Sequence, residues 1–433
     1  MKNQEEILSK LNIDALNPMQ EEAITVISST ANTILLSPTG TGKTLAFLLP
    51  VLDVLDHDNP EVQVLILVPS RELAIQIEQV IRNMGTGFKV NAIYGGRPMS
   101  KDKIELKHTP AILVGTPGRI LDHFIADRFT KDSITTLILD EFDKSLEVGF
   151  EEEMSEILSD LTNLKRRILT SATEGVKIPK FVGMVNPKRI NFLEEATPAK
   201  LTIKIVLAQD KDKLKSLAQL LRFIGEEPGI IFCNYKDSIE SVSSYLSHQH
   251  IQHECFSGGM EQKDRERALL KFRNGSSRIL VATDLAARGI DIPELKFIIH
   301  YELPHRIEEF THRNGRTARV NESGTAYVLQ WEKESLPDFI SKSKGIDIRK
   351  SSVLGEPFWD TLFISGGRKD KISKGDIAGL FFKQGGLNKE QLGAIELKQD
   401  CAFVAVPRTK ANELSAQLNN SRLKKKKVRI TVL

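Results

Sequence analysis

The sequence has few cysteines and no long apolar segment. Its three cysteines, Cys233, Cys255 and Cys401, are far apart and include no C-x-x-C pair, which indicates reduced thiols rather than a disulfide framework or a zinc site. No apolar run approaches the roughly 18 residues that a membrane-spanning helix needs. Residues 1–6 are mostly polar, so we expect no secretory signal and predict a cytoplasmic protein.

Net charge is small but unevenly distributed. The chain has 60 Lys and Arg against 57 Asp and Glu, a net charge of +3. Residues 361–433 contain 15 basic and 6 acidic side chains, a net of +9, so the preceding 360 residues carry −6. A basic tail on a nearly neutral body predicts a polyanion-binding module at the C-terminal end.

Short apolar runs alternate with helical patterns, which is typical of α/β domains with parallel sheets. The predicted strands of the first series are 33–36, 62–68, 111–114, 137–139 and 167–170, and those of the second are 229–233, 278–283 and 297–300. Helical spacing covers 71–84, 151–161, 211–224 and 237–248. We predict two α/β domains, residues 1–196 and 199–345, joined by a segment that contains Thr197-Pro198.

The last part of the chain has a different pattern. Strands are predicted at 361–365, 402–406 and 428–433, and helices at 374–382 and 410–418. This order predicts a small α+β domain over residues 359–433, after a linker at 346–358.

Residues 37–44 form a glycine-rich loop between an apolar strand and a helical stretch, the context that a phosphate-binding P-loop requires. Glycines at 40 and 42 let backbone N–H groups surround phosphate oxygens, and the helix start adds positive charge. Lys43 is predicted to reach the β- and γ-phosphates, and Thr44 to bind Mg²⁺; Ser37 stands where the strict pattern has glycine. The predicted ATP-binding residues of this loop are Ser37, Pro38, Thr39, Gly40, Thr41, Gly42, Lys43 and Thr44.

An acidic group, residues 140–143, follows the predicted strand 137–139. Ligands of open α/β sheets bind at the carboxyl ends of strands. Asp140 is placed to hold Mg²⁺ largely through water, and Glu141 to activate the attacking water. An acidic group of this kind is more often a solvated turn. The P-loop upstream favours the interpretation that Asp140 and Glu141 take part in ATP hydrolysis.

With these motifs in order, residues 15–330 resemble the DEAD-box RNA helicases of superfamily 2, whose two domains are RecA-like. The resemblance implies that Gln20 reads adenine, and it adds Asp291 to the ATP site. It implies interdomain coupling through Asp143, Ser171, Thr173 and His312. The RNA-backbone residues implied are Pro69, Arg71, Gly96, Thr116, Arg119, Gln262, Arg265, Thr283 and Arg288.

Arg316 and Arg319 lie in the second predicted domain, away from the P-loop. An arginine delivered to a γ-phosphate stabilises transition-state charge and is worth about 10³–10⁵ in rate. Both arginines are therefore predicted to be catalytic, together with Lys43 and Glu141, and to act only when the domains close on RNA. Ordinary surface ion pairs are the alternative.

The chain departs from the family pattern at several positions. Phe142 replaces the alanine of the namesake tetrad, so a bulky ring must be housed beneath the site. Asn314 and Ala318 replace isoleucine and glycine in the motif that contains Arg316 and Arg319. Asn3 falls where an aromatic residue is expected upstream of Gln20, so adenine stacking is expected to be weaker or supplied otherwise.

The tail resembles the C-terminal RNA-binding domain of the DbpA group of bacterial helicases, which has an RRM-like fold and anchors the enzyme to a hairpin of large-subunit ribosomal RNA. Phe363 and Phe403 lie on predicted strands, where they either stack on bases or belong to the core. A basic run near the end favours an RNA-phosphate patch over a merely solvated surface. That patch consists of Lys424, Lys425, Lys426, Lys427 and Arg429.

The predicted function is an ATP-dependent RNA helicase that uses ATP and Mg²⁺ to unwind RNA locally, in large ribosomal subunit assembly. RNA is the predicted partner; no membrane or DNA partner is expected, and the protein is expected to be monomeric. One alternative is an RNA clamp or scaffold in which ATP only times release. Another is a DNA translocase, which Gln20 and the arginine motif disfavour.

Overall fold

The computed structural model of the protein describes residues 4–38, 40–175, 177–193, 200–287, 295–317, 323–340, 345–348 and 354–433. Within these ranges no helix is long and apolar enough to cross a membrane. Contacts divide the chain into two compact units between residues 199 and 200.

The first unit is a parallel sheet covered by helices on both faces. Its strands are β1 (Asn32–Leu36), β2 (Val64–Leu67), β3 (Val90–Ile93), β4 (Ile112–Gly115), β5 (Thr136–Leu139), β6 (Arg166–Ser171) and β7 (Lys188–Asn191). Its helices are α1 (Gln4–Leu11), α2 (Pro18–Ser29), α3 (Lys43–Leu52), α4 (Arg71–Met84), α5 (Met99–Leu106), α6 (Pro117–Ile125), α7 (Phe142–Val148) and α8 (Glu151–Asp160). The strand order is β3-β4-β2-β5-β6-β1-β7. One apolar cluster lies on each face of the sheet.

The second unit begins with another parallel sheet. Its strands are β8 (Lys200–Ala208), β9 (Gly229–Cys233), β10 (Glu254–Phe256), β11 (Ile279–Thr283), β12 (Phe297–His300) and β13 (Ser323–Trp331), in the order β10-β11-β9-β12-β13-β8. Its helices are α9 (Leu214–Ile224), α10 (Lys236–His248), α11 (Gln262–Arg273), α12 (Asp284–Ala287) and α13 (Ile307–Asn314). The predicted fold class, two tandem α/β domains with parallel sheets, is confirmed.

The same unit continues into a small antiparallel sheet, as the sequence predicted. Its strands β14 (Trp359–Ile364), β15 (Ile395–Leu397), β16 (Ala402–Pro407) and β19 (Ile430–Val432) pair in the order β15-β16-β14-β19, and β17 (Arg422–Leu423) pairs with β18 (Lys426–Lys427). Helices α14 (Lys374–Lys383) and α15 (Arg408–Leu418) cover one face, with Leu362, Ile364 and Val404 in the shared core.

Phe363 and Phe403 lie on the opposite face of this sheet, because strand side chains alternate between faces. Their ring centroids are 5.7 Å apart in an edge-to-face arrangement. They therefore pack on each other, outside the core that the helices cover.

Candidate nucleotide and RNA sites

The loop between β1 and α3 is closed by its own polar groups. Ser37 is buried; its amide donates to the carbonyl of Ser171 (3.1 Å) and its hydroxyl lies 2.7 Å from that of Thr41. Gly40 and Gly42 both have φ of +85°, a left-handed conformation that glycine adopts without strain. Serine in place of the expected glycine thus contributes a hydrogen bond within the loop.

Lys43 is the first residue of α3 and is buried. Its Nζ donates to the carbonyl oxygens of Ser37 (2.5 Å) and Pro38 (2.9 Å). Burial lowers the pKa of Lys43 to about 8, although the charges of Asp140 and Glu141 act to raise it. The ammonium group therefore lies inside the loop and close to the acidic pair.

Gln20 lies against the same loop. Asn17 and Gln20 form a reciprocal capping box at the start of α2, with amide-to-side-chain distances of 2.9 and 3.0 Å. The Gln20 Nε2 donates to the carbonyl of Gly42 (3.3 Å), and the Asn17 Nδ2 donates to that of Thr41 (3.0 Å). The structure thus brings the predicted adenine-reading residue next to the predicted phosphate loop.

Asp140 and Glu141 follow β5 at the carboxyl edge of the sheet. The hydroxyl of Thr170 donates to Asp140 Oδ1, and the amide of Glu141 donates to the same oxygen (3.1 Å). Burial and the neighbouring Glu141 charge raise the pKa of Asp140 to about 6, against the Thr170 hydrogen bond and the charge of Lys43. Glu141 has φ of +50°, which is unusual for a residue with a side chain and is typical of strained functional sites.

Asp143, Ser171 and Thr173 are brought together, as predicted for a coupling group. The Thr173 hydroxyl donates to Asp143 Oδ2 (3.1 Å), and the Thr173 amide donates to the Ser171 hydroxyl (3.0 Å). Phe142, between these acids, is fully buried in the apolar cluster on its face of the sheet. His312, the fourth predicted coupling residue, is on α13 in the other unit.

The side chains at this edge fit Mg²⁺. Thr44 and Asp140 offer a hydroxyl and a carboxylate, the hard oxygen ligands that Mg²⁺ prefers, and a cation would offset the buried charge of Asp140. Across the described residues, no three His, Cys, Asp or Glu side chains form a protein-only metal site.

The predicted RNA contacts of the first unit lie after three neighbouring strands. Pro69 follows β2, Gly96 follows β3, and Thr116 lies between β4 and α6 at the N-cap position of that helix. Arg71, at the start of α4, packs on Gly96: a Cβ there would be 2.3 Å from Arg71 Nη1. Bare backbone, hydroxyl and guanidinium groups thus share one edge, which suits sequence-independent phosphate binding.

A buried ionic cluster supports this edge, and Asp102 lies at its centre. Its Oδ2 accepts from Arg119 Nε (2.7 Å) and His123 Nε2 (3.2 Å), and its Oδ1 forms an ion pair with Arg97 Nε (2.8 Å). Arg119 also donates to the carbonyl of Arg97 (2.8 Å). The predicted RNA residue Arg119 is therefore largely engaged within the protein, and sequence reasoning missed Asp102.

Burial of Asp102 acts to raise its pKa, but hydrogen bonds from His123 and Arg119 and the charge of Arg97 outweigh it, so its pKa lies below the usual value. The carboxylate is thereby kept charged between its two arginines.

In the second unit, Gln262 and Arg265 lie in the first turn of α11. Arg265 is buried, with its guanidinium carbon 4.6 Å from the centroid of the Phe256 ring. Thr283 is the last residue of β11. The structure thus places two of these predicted RNA residues on a helix and one on a strand of the second unit.

Arg313, on α13, connects three parts of the second unit: α12, the segment after β12 and the segment after β9. It donates to Asp284 from Nε (2.7 Å) and Nη2 (2.5 Å), to the Glu302 carbonyl (2.8 Å) and to Asn234 Oδ1 (2.7 Å). Arg316, predicted to be catalytic, follows α13 and is buried. Sequence reasoning did not identify the supporting role of Arg313 and Asp284, although Asp284 is next to Thr283 and Arg313 is three residues from Arg316.

Asn314, a departure from the family pattern, has a specific partner. Its Oδ1 lies 3.1 Å from Nε2 of His300, at the end of β12. Burial and the charge of Arg313 lower the pKa of His300 to about 3, so the imidazole is neutral near pH 7. Asparagine at this position thus forms a side-chain hydrogen bond within the second unit.

The basic run of the tail forms the β17–β18 hairpin. Lys424 Nζ lies 2.9 Å from Asp376 and Lys426 Nζ 2.8 Å from Asp370, so these two lysines bind acids of the same domain. Lys425, Lys427 and Arg429 are exposed, as are Arg422 and the ion-paired Lys424. Thr39, Arg288, Asp291, Ala318, Arg319 and Asn3 were also singled out in the sequence and lie outside the described residues.

Three family models match the chain: DEAD/DEAH box helicase over residues 17–180, helicase conserved C-terminal domain over 212–321, and DbpA RNA binding domain over 361–432. The ATP-dependent RNA helicase DbpA of Escherichia coli K12 is 32% identical over 439 residues, covering 98% of this chain and 96% of the relative. Its counterpart from Bacillus subtilis 168 is 30% identical, covering 95% and 93%.

A solved structure is also similar. Dbp5 of S. cerevisiae, bound to RNA and ADP BeF3, has a TM-score of 0.67 and 26% identity. The match covers 76% of this chain and 88% of that chain.

Proposed function

This chain belongs to the DEAD-box family of ATP-dependent RNA helicases, and we propose that it remodels short RNA duplexes during assembly of the large ribosomal subunit. The enzyme is an RNA-dependent ATPase. The main observation that supports this function is the position of the Lys43 ammonium group. It lies inside the phosphate loop and close to Asp140 and Glu141. We further propose that the protein acts in the cytoplasm as a monomer.

Each residue of the nucleotide site has a distinct role in this proposal. Lys43 and the loop amides bind the phosphates; Thr44 and Asp140 would hold Mg²⁺, which when bound would supply positive charge to the phosphates. Glu141 accepts a hydrogen bond from the attacking water and orients it. Arg316 and Arg319 bind the γ-phosphate when the two α/β domains close on RNA, which makes hydrolysis conditional on bound RNA.

RNA is held by its backbone in both domains. Arg71, Gly96 and Thr116 contribute in the first, and Gln262, Arg265 and Thr283 in the second; Gln20 selects adenine nucleotides. Because such contacts do not read bases, the choice of RNA falls to the C-terminal domain. Its exposed Lys425, Lys427 and Arg429, together with its resemblance to the DbpA RNA-binding domain, support ribosomal RNA as the target.

A strand-displacement assay tests this function. A labelled strand is annealed beside a hairpin of a large-subunit ribosomal RNA fragment, or to an unrelated RNA of the same length. We expect ATP-dependent release and a preference for the ribosomal fragment. RNA-stimulated phosphate release without strand separation would instead identify an RNA clamp.

Charge reversal tests the anchoring surface. The triple variant Lys425→Glu, Lys427→Glu, Arg429→Glu is expected to lose the preference by about tenfold or more, because each lost phosphate contact removes counterion release. The control variant Lys383→Glu, Lys389→Glu reverses two exposed charges of the same domain. It should keep the preference for the ribosomal fragment. An unchanged preference in the triple variant would refute the anchor.

A further inference from the structure

Tyr235 is an exposed aromatic residue at the carboxyl edge of the second parallel sheet. It lies two residues after the end of β9 and immediately before α10, and it is 60% exposed. In the part of the chain that the structure describes, no hydrogen bond, ion pair or ring contact holds its side chain. Single exposed apolar side chains are common on protein surfaces, so the surroundings of this ring decide what it can bind.

The backbone that carries this ring is held on both sides. The amide of Asn234, the preceding residue, donates to Glu302 Oε2 (2.6 Å), and the Asn234 side chain accepts from Arg313 Nη2 (2.7 Å). The carbonyl of Tyr235 accepts from the amide of Ile239 in α10 (3.3 Å). The ring therefore projects from a fixed backbone, which lowers the entropy cost of ordering it against a ligand.

The next residue, Lys236, extends across the end of the neighbouring strand β11. Its Nζ lies against Gly259, where an added Cβ would be 2.5 Å away. Gly259 follows β10, and β11 lies between β9 and β10 in the sheet, so this contact crosses the carboxyl end of β11. Thr283, the last residue of β11, pairs with Cys233 of β9. Tyr235 and Lys236 are thus next to Thr283, one of the proposed RNA-backbone residues.

We propose that Tyr235 and Lys236 form an additional RNA subsite, in which the Tyr235 ring stacks on a nucleobase and Lys236 binds a neighbouring phosphate. Proteins that hold single-stranded nucleic acid combine basic groups with aromatic rings, and stacking tolerates any sequence because every base has a π-face. The subsite therefore adds affinity for unpaired RNA without selecting bases. A base that stacks on Tyr235 has left its duplex, so the subsite also favours separated strands. The inference rests on the proposed function, in which the edge at Thr283 binds RNA.

Abasic RNA separates base stacking from backbone binding. A short single-stranded RNA and an abasic strand of the same length are each titrated with the full-length protein, in the presence of Mg²⁺ and a nonhydrolysable ATP analogue. We expect wild-type protein to bind the RNA that has bases at least about fivefold more tightly, because one stacked base contributes about five- to a hundredfold in affinity. Tyr235→Ala should reduce this ratio at least about fivefold. Tyr235→Phe should keep the ratio, because the ring remains.

The matched control is Phe223→Ala. Phe223 is also an exposed aromatic residue of the second unit, but it lies in the last turn of α9, which leads to the amino end of β9. The carboxyl edge of the sheet is at the other end of that strand. Phe223→Ala should therefore bind both strands as the wild-type protein does.

Lys236→Ala tests the phosphate contact. It should weaken binding of the RNA and of the abasic strand by the same factor, because both strands have phosphates. The slope of log affinity against log salt concentration should become shallower by about 0.7, the value for one phosphate contact with a single strand. An unchanged slope would overturn the assignment of Lys236.

The stacking role has its own contrary result. If removal of the bases weakens binding equally in wild-type protein and Tyr235→Ala, the ring does not stack on RNA and the inference is overturned. Both proteins would still bind RNA in that case, so the proposed function would stand. Failure of the proposed function gives a different result, because wild-type protein would then bind neither strand and RNA would not stimulate its ATPase activity.

Discussion

The ammonium of Lys144 lies 2.9 Å from Oε1 of Glu141, and its side chain is completely buried. Glu141 is held at a backbone φ of +50° one residue before α7, and Lys144 is in the first turn of that helix. The ion pair therefore fixes the carboxylate that we assign to water activation. Nothing in the linear sequence distinguished Lys144 from a surface lysine.

Replacing Lys144 should cost both stability and turnover. In Lys144→Met the carboxylate of Glu141 loses its cation, and breaking a buried pair costs roughly 3–5 kcal/mol in the free energy of unfolding. The double variant Lys144→Met, Glu141→Gln should recover most of that loss, because no charge remains unpaired. Urea denaturation of the four proteins in this cycle measures the coupling; additive effects would show that the pair is energetically unimportant.

A side chain at Gly42 should displace Gln20 from the phosphate loop. In Gly42→Ala a Cβ would lie 2.4 Å from Gln20 Nε2, in a backbone with φ of +85°. Gly149→Ala is the control, because it has a similar φ of +91° but no atom within 4 Å of the added Cβ. We expect Gly42→Ala to lose ATP binding in a fluorescent-nucleotide titration and Gly149→Ala to keep it. Equal ATP affinity in the two variants would mean that contact with Gln20 is irrelevant.

Asp140→Asn should make the protein inactive but more stable. Because the pKa of Asp140 is raised to about 6 in the fold, the folded state binds this proton more tightly than the unfolded state does. Stability from this group therefore falls as pH rises from about 4 to 6, and the charged form is penalised above that. The variant should gain about 1–3 kcal/mol at pH 7 and almost nothing below pH 4. Unfolding curves at both pH values test the difference; a gain that does not depend on pH would contradict it.

The substitution Asp102→Asn should weaken RNA binding and leave ATP binding unchanged. The substitution leaves Arg97 and Arg119 without their shared carboxylate and should cost roughly 3–5 kcal/mol in the free energy of unfolding. Asp122→Asn removes only a 3.9 Å contact between Arg119 and an exposed carboxylate, so it should be nearly neutral. The RNA concentration for half-maximal ATPase should rise in Asp102→Asn, with the maximal rate reduced much less.

The pH dependence of that stability deficit has a definite sign. Because the pKa of Asp102 lies below its usual value, its contribution is present above about pH 4 and is lost as pH falls through the folded-state pKa. The deficit of Asp102→Asn should therefore shrink in acid. A deficit that does not shrink at all on acidification would indicate a purely steric cause.

Local patterns predicted the parts of the fold that depend on local chemistry. The helix α4 and the strands β9 and β12 match their predicted ranges, because helical spacing and uninterrupted apolar runs mark them. The strands β3 and β13 were missed: β3 contains the buried polar Asn91, which interrupts its apolar pattern, and β13 has glycine and polar residues among its apolar ones.

The candidate site also has some parts that local sequence patterns predict and other parts that form only through folding. The phosphate loop and acidic pair are contiguous motifs and were predicted from sequence alone. The partners that support them are not contiguous: Thr170 reaches Asp140 across neighbouring strands, and Asp102 meets Arg119 only after folding.

The most direct test of the central claim is phosphate release by wild-type protein and Glu141→Gln, each measured with ATP, Mg²⁺ and either RNA or DNA of the same sequence. The account predicts that RNA, but not DNA, stimulates the wild-type protein, and that Glu141→Gln loses the stimulated rate by at least about a hundredfold, the range of a general base. Near-wild-type turnover by Glu141→Gln, or equal stimulation by DNA, would contradict it.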